Sequence, residues 1–143
     1  MIFAMTNTAM LHPGQALTPC EIQISQALID AYAAISGDFN PIHIDPAAGQ
    51  AAGFGGSIAH GCLPLEPVLQ SLRRWSGFDS LPQGTRLTLR YRAPSRPGDT
   101  IRSSLVFEER ADGSLRFAFE CKNQSGQTVL DGHCLWPVEG PWA

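Results

Sequence analysis

The sequence predicts an α+β domain in which one long helix covers one face of a curled antiparallel sheet. One strand-like segment near the start is followed by helical segments as far as residue 75, and the chain after residue 81 is a run of strand-like segments separated by turns. Strands segregated from helices in this order are typical of α+β proteins. The 143 residues contain no internal repeat and no linker that would divide them, so one domain is expected.

The beginning of the chain lacks any hydrophobic period. Residues 1–15 are therefore expected to form a flexible arm, and residues 16–143 to form the single domain. Within Leu17–Ser25, apolar Ile22 and Ile24 alternate with polar side chains, which predicts the first strand.

Two helices are predicted next. Ser25 is a good N-cap, apolar residues recur at helical spacing as far as Ile35, and Gly37 predicts the end of this helix. A short alanine-rich helical piece is expected to start at Asp45-Pro46 and to end near Gly53.

The main apolar helix is predicted from about Gly61 to Trp75. Pro64 fits its first turn, where the missing N–H is not needed. Pro67 lies further inside, where it must bend the helix or remove a hydrogen bond.

The remaining chain predicts four strands. Period-two alternation and intervening turn residues define them, including a hairpin turn over 111–114. The predicted strands are Arg86–Ala93, Thr100–Arg110, Leu115–Asn123 and Gln127–Pro137.

Composition and charge argue against several classes of function. A net charge of −3 disfavours binding to nucleic acid or to an anionic membrane surface. No apolar run approaches the ~20 residues of a membrane span, and the first residues lack the pattern of a secretory signal, so a cytoplasmic protein is expected. The four cysteines form no CxxC pair, which predicts reduced, mostly buried thiols, no zinc site, and a packing role for Cys62 inside the main helix.

The chemistry is concentrated in the loop Ser36–His43. Pro41 and Asn40 favour a turn rather than a regular helix or strand. Five extended residues would span about 16 Å, so only a folded-back loop lets Asp38 and His43 meet at one small molecule. A carboxylate and an imidazole on one water make a general acid/base pair. The alternative is a simple Asn-Pro turn, with Asp38 solvated and His43 in the core.

A second segment, Ser57–Gly61, opens the main helix. The start of a helix presents unpaired N–H groups and partial positive charge. Because Gly61 has no side chain, its amide can bind a carbonyl oxygen on which negative charge develops. A glycine packed where helix and sheet come close explains this residue equally well. His60 is expected to have a structural role.

Together the two segments resemble the MaoC-like (R)-specific enoyl-CoA hydratases and dehydratases. The resemblance rests on Tyr32–His43, with its Ser-Gly-Asp-x-Asn-Pro-x-His pattern, and on Phe54–Gly61, which ends in His-Gly. In layout it extends over about residues 16–137. It implies the hotdog fold, a curved antiparallel sheet wrapped around a central helix, and dimers whose sheets join edge to edge.

The resemblance also implies an activity, in which water adds to a trans-2-enoyl thioester of CoA or of an acyl carrier protein. The product is the (R)-3-hydroxyacyl thioester, and the reverse dehydration is equivalent. On the matching positions Asp38 and His43 would activate the water. The Gly61 amide would bind the thioester carbonyl, and Asn40 would hold the loop in shape. No metal or other cofactor is implied.

Several residues depart from the family pattern. Gly49 stands where Ala or Ser is preferred, a difference expected to matter little, and Leu69 stands where some hydratases carry serine. Pro64, Glu66 and Pro67 are also unusual in the central helix. These departures bear on the acyl pocket more than on the water-activating pair. Two alternatives remain open: an acyl-CoA thioesterase, since other hotdog proteins hydrolyse acyl-CoA, or a non-catalytic protein that binds acyl thioesters, which the proline-altered helix allows.

Arginines provide a further candidate feature, because guanidinium groups bind phosphates and acidic surfaces. They can receive the phosphates of CoA or an acidic carrier protein, although the polar face of an exposed strand accounts for the first three of them better. The candidates are Arg86, Arg90, Arg92, Arg96 and Arg102.

Overall fold

The computed structural model describes residues 11–138. Most of the expected flexible arm, residues 1–10, therefore lies outside the described residues. Gly14 and Gln15 exchange backbone hydrogen bonds of 2.8 Å with Phe107. For these two residues the expectation of a flexible arm is wrong, because the open edge of a neighbouring strand binds them.

The described strands form one antiparallel sheet in the order β1-β3-β4-β5-β2. All five predicted strands are present, although the first is shorter than expected because only three of its residues pair in register with β3. The strands are β1 (Glu21–Gln23), β2 (Arg86–Tyr91), β3 (Thr100–Ala111), β4 (Ser114–Lys122) and β5 (Thr128–Pro137).

The hairpin between β3 and β4 follows the predicted turn. Asp112 and Gly113 have φ angles of 53° and 74°. Two consecutive positive φ angles are those of a type I′ turn, whose twist matches that of the flanking strands.

Four helices lie before β2 in the described part of the chain. The first begins after Ser25, whose hydroxyl accepts a 3.0 Å hydrogen bond from the Leu28 N–H, and it ends at Gly37 with φ of 78°, as predicted. The helices are α1 (Gln26–Ser36), α2 (Pro41–Ile44), α3 (Pro46–Ala51) and α4 (Cys62–Ser76). The expectation that no regular helix occurs in the Asp38–His43 loop is wrong, because Pro41 starts α2 at a position where its missing N–H costs nothing.

The central helix α4 packs against the inner face of the sheet. Val68 and Leu72 on α4 and Phe117 on β4 are fully buried, and each such side chain contributes about 1.5–3 kcal/mol to folding. Ser71 adds a polar connection, since its hydroxyl donates to the Thr18 carbonyl and hydrogen-bonds the Ser103 hydroxyl, both at 2.8 Å. The sheet, the helix and the sequence order agree with the predicted α+β class.

The four cysteines are free. Burial raises the pKa of the Cys121 and Cys134 thiols to about 12, so both are inert packing residues. The expected packing role of Cys62 is wrong: it is the first residue of α4 and lies exposed. No helix within residues 11–138 is both long and apolar enough to cross a membrane.

Candidate active site

The loop after α1 is folded back by side chains that accept hydrogen bonds from the backbone. The Ser36 hydroxyl accepts from the Asp38 N–H, the Asp38 carboxylate from the Asn40 N–H, and the Asn40 side chain from the Ile42 N–H, each at 3.2 Å. Such local bonds are typical of Asp and Asn in turns. They bring the start of α2 back toward Asp38 and so place His43 beside it.

The structure brings Asp38 and His43 together. Asp38 Oδ2 lies 3.8 Å from His43 Nε2. This separation is too long for a direct hydrogen bond, and one water oxygen can lie within hydrogen-bond distance of both atoms. The His43 side chain is 10 % exposed and that of Asp38 52 %, so the imidazole is held by the protein while the carboxylate faces solvent.

A backbone carbonyl sets the tautomer of neutral His43. Its Nδ1 lies 2.8 Å from the Ile58 carbonyl oxygen. A carbonyl only accepts, so Nδ1 carries the hydrogen, and Nε2 of the neutral ring keeps a free lone pair. The nitrogen that faces Asp38 is therefore the basic one.

His60 packs against His43 and hydrogen-bonds the backbone of Asp38. It is buried, its ring stacks on that of His43 with centroids 3.9 Å apart, and its Nε2–H donates to the Asp38 carbonyl at 2.9 Å. The Tyr32 ring contacts His60 with centroids 4.8 Å apart. These contacts agree with the structural role expected for His60.

Sequence reasoning missed Gln26. Its Nε2 donates to the His43 carbonyl and to Asp30, both at 2.9 Å, and its Oε1 accepts from the Ser57 hydroxyl. Gln26 thus joins α1 to both site segments. No local signal predicts this role, because its partners in these segments lie 17 and 31 residues away in the chain.

Gly49 was expected to matter little, and the structure shows that this is wrong. A Cβ on Gly49 would lie 1.9 Å from the Gly56 carbonyl oxygen and 3.0 Å from the Ser57 nitrogen. Only glycine fits where α3 meets this loop. The loop continues directly to Ile58, whose carbonyl orients His43.

Both interpretations of Gly61 agree with its surroundings. Its N–H donates to no protein acceptor within residues 11–138, so the amide is free for a ligand. A Cβ there would also lie 2.6 Å from the Tyr91 Oη, so the glycine allows close packing of α4 on β2.

Two tyrosines near Gly61 are hydrogen-bond donors at neutral pH. A hydrogen bond with the Cys62 thiol, together with burial, raises the pKa of Tyr32. Partial burial and the neighbouring Cys62 raise the pKa of Tyr91. Both phenols therefore remain protonated, and neither is a general base.

Asp38, His43 and His60 place their possible ligand atoms within 4.8 Å of one another, a spacing compatible with a metal site. However, the His60 Nε2–H is engaged by the Asp38 carbonyl. The two imidazoles are stacked with an interplanar angle of 27°, so their in-plane lone pairs run side by side. This donor set does not converge on one ion, and we assign no metal to it.

Three large apolar side chains, one each from α1, the site loop and β2, are exposed. Ile35, Phe39 and Tyr91 are 85 %, 55 % and 54 % exposed. An open concavity of about 560 Å³ lies on the outer face of the sheet, with Ala118 and His133 in its wall, and none of the site residues lines it.

Comparison with known proteins identifies the family. The family described as MaoC like domain matches residues 8–127. The 3-hydroxybutyryl-CoA dehydratase of Methylorubrum extorquens is 32 % identical over 127 residues, which cover 81 % of this chain and 74 % of the relative. The mitochondrial 3-hydroxyacyl-[acyl-carrier-protein] dehydratase of Arabidopsis thaliana is 29 % identical over 136 residues, with coverages of 90 % and 78 %.

A solved structure agrees with these relatives. Unliganded R-hydratase PhaJ1 from Pseudomonas aeruginosa superposes with a TM-score of 0.73 at 31 % identity, covering 92 % of this chain and 85 % of that one. Both the hotdog fold and the resemblance read from the loop motif are therefore confirmed. The chain belongs to the MaoC-like family of hydratases and dehydratases.

Proposed function

We propose that this protein is a hydro-lyase that adds water to a trans-2-enoyl thioester of CoA or of an acyl carrier protein. The product is the (R)-3-hydroxyacyl thioester, and the enzyme also catalyses the reverse dehydration. One observation carries the proposal: the basic Nε2 of His43 lies 3.8 Å from the Asp38 carboxylate, on a ring whose other nitrogen is held by the Ile58 carbonyl. The hydratases and dehydratases among the relatives support the thioester substrate and the R configuration.

The geometry supports a stepwise account of the proton. A water between Asp38 and His43 donates one hydrogen to each and directs its oxygen at C3 of the substrate. As the new C3–O bond forms, His43 Nε2 takes a proton from the water, and the C2–C3 π electrons move toward the thioester carbonyl. The imidazolium then returns this proton to C2 on the same face, so one molecule of water is added in full.

In this proposal the free amide of Gly61 stabilises the enolate oxygen by donating a hydrogen bond to it. A preformed N–H donor at a developing oxyanion lowers the barrier because it needs no reorganisation during the reaction. In this proposal Asn40 has the positioning role, since it caps α2 and keeps His43 in register with Asp38.

We further propose that two copies associate through β2. This strand is an edge of the described sheet, paired only with β5 over Arg86–Tyr91, and such an edge is a template for pairing with a second chain. A partner here would also cover exposed apolar groups such as Phe39 and Tyr91. Light scattering after gel filtration should give about twice the 15.4 kDa chain mass; the chain mass itself would contradict the proposal.

No metal or prosthetic group takes part in the proposed reaction, because His43, Asp38 and Gly61 supply base, water orientation and oxyanion site. Prolonged dialysis against EDTA is expected to leave the hydration rate unchanged. A loss restored by one divalent cation would refute this part. The free thiols agree with the cytoplasmic location that we propose.

The experiment that tests the function is hydration of crotonyl-CoA, followed as loss of the enoyl absorbance. Asp38→Asn and His43→Ala should each lower kcat by about 10²–10⁴-fold, the range for a general acid/base group. His133→Ala, which removes a partly exposed histidine of β5, is the matched control and should keep wild-type kcat. Circular dichroism checks the fold of each variant, and a thiol reagent detects any thioesterase activity. Wild-type rates in both site variants would refute the proposed role of the loop.

A further inference from the structure

The Arg96 side chain lies against the glycine loop Phe54–Ser57 that leads into the site. A Cβ on Gly55 would be 3.2 Å from Arg96 Nη1. Residue 95 binds the same part of the chain, since the Ser95 carbonyl accepts the Ala59 N–H at 2.8 Å. The guanidinium therefore lies beside the loop that leads into the site.

Arg96 differs from the other candidate arginines in its contacts. Arg92 pairs with Asp131 and Arg102 with Glu21, at 3.1 and 2.9 Å. Arg86 and Arg90 lie on β2, and Arg90 lines the concavity on the outer face of the sheet. The Arg96 guanidinium, by contrast, has no carboxylate or hydrogen-bond partner among residues 11–138 and is exposed beside the site segment.

The acidic residue nearest in sequence does not neutralise Arg96. Asp99 accepts from the backbone N–H of Arg96 through Oδ2 and from Gln124 through Oδ1, both at 2.9 Å. Its carboxylate is therefore used to hold the 96–99 turn, and the positive charge of the Arg96 side chain remains available.

The glycine loop contributes two further donors. Gly55 and Gly56 have φ angles of 73° and 150°, a backbone that glycine adopts readily. Within the described part of the chain, neither amide donates to a protein acceptor. Successive free amides in a turn are a common anion-binding arrangement, and a guanidinium beside them adds charge-assisted hydrogen bonds.

The glycine loop continues directly into the segment that orients His43. Gly55 precedes Ile58, which orients His43, by three residues, so the loop lies within about 10 Å of it along the chain. A phosphate bound here would be separated from the thioester by the pantetheine arm.

We propose that Arg96, with the amides of Gly55 and Gly56, binds a phosphate of the substrate's phosphorylated pantetheine arm. The inference rests on the proposed function, since it assigns the carrier end of the same thioester. CoA and carrier-bound phosphopantetheine share this phosphate, and CoA carries additional phosphates on its nucleotide.

The test compares three crotonyl thioesters: crotonyl-CoA, crotonyl-4′-phosphopantetheine and crotonyl-N-acetylcysteamine, which lacks the phosphate and most of the pantetheine arm. In Arg96→Gln, kcat/KM for crotonyl-CoA should fall about tenfold, the loss of one charge-assisted contact, through KM rather than kcat. The N-acetylcysteamine thioester should change by less than about twofold. Arg110→Gln is the matched control, since Arg110 is exposed, has no ion pair within residues 11–138, and lies at the far end of β3.

A loss with both phosphorylated substrates supports binding of the pantetheine phosphate, whereas a loss with crotonyl-CoA alone would indicate the nucleotide phosphates and overturn the proposal. Equal losses for all three substrates, no loss, or the same loss in Arg110→Gln would overturn the proposal. If the wild type hydrates none of the three, the proposed function fails. Calorimetry with CoA then still decides the subsite: a Kd raised about tenfold in Arg96→Gln supports it, and an unchanged Kd overturns it.

Discussion

Replacing Gly49 by alanine brings two opposing effects into competition. In an open helix this change stabilises by about 0.5–1 kcal/mol, because glycine loses more backbone entropy on folding. Here the new Cβ would lie 1.9 Å from the Gly56 carbonyl oxygen. Non-bonded heavy atoms prefer roughly 3.5 Å, so the loop must move by about 1.5 Å. Overpacking of this kind costs about 1–3 kcal/mol, and we expect a net destabilisation of about 1–2 kcal/mol.

The same displacement should lower activity. Gly56 is two residues from Ile58, whose carbonyl sets the tautomer and orientation of His43. A shift of about 1 Å in a catalytic group costs on the order of 10²-fold. We therefore expect kcat for crotonyl-CoA to fall between tenfold and 10²-fold in Gly49→Ala, with a smaller change in KM.

Urea unfolding followed by circular dichroism measures the stability, and the enoyl absorbance assay measures kcat. Gly126→Ala provides the control, because Gly126 has φ of 78° with open space around it, in the turn before β5. It should lose about 1 kcal/mol through backbone strain and keep wild-type kcat. A Gly49→Ala protein that is more stable than the wild type, or that keeps full kcat, would refute this reasoning.

Two other substitutions and one pH dependence follow from the structure. Gly61→Ala should lower the free energy of unfolding in urea by about 1–3 kcal/mol, because its Cβ would lie 2.6 Å from Tyr91 Oη. In a protein that already carries Tyr91→Ala, most of this cost should disappear. An equal cost with and without Tyr91 would contradict the contact. The free energy of unfolding should decline above pH ~8.5, the ordinary thiol pKa. Burial raises the pKa of Cys121 and Cys134 to about 12, so above pH ~8.5 the folded state binds more protons than the unfolded state. Between pH ~9 and ~11 each thiol should account for about 2 kcal/mol, so Cys121→Ala should show a shallower decline, and an unchanged slope would contradict its burial.

Prediction from sequence succeeded where the signal is local. Ser25 and Gly37 mark the ends of α1 through bonds to their own neighbours, and the 111–114 turn needs only its φ angles. The loop motif likewise predicted that Asp38 and His43 converge, because Asn40 and its neighbours fold the loop without help from distant residues.

Prediction failed where the answer depends on distant contacts. The exposure of Cys62 depends on which face of α4 meets the sheet, and the role of Gln26 depends on segments 17 and 31 residues away. Gly49 was expected to be a minor departure from the family pattern, but the Gly56 carbonyl lies where a larger side chain would place its Cβ.

By itself, then, the sequence determined the class of fold, the ends of α1 and the folded-back loop that brings Asp38 and His43 together, since short-range hydrogen bonds and hydrophobic periods depend on neighbouring residues. The tertiary structure decided which nitrogen of His43 is basic, which glycine cannot change and which arginine stands free beside the site. Those properties depend on the Ile58 carbonyl, the Gly56 carbonyl and the partners of each guanidinium, all brought into place only when separate segments pack together.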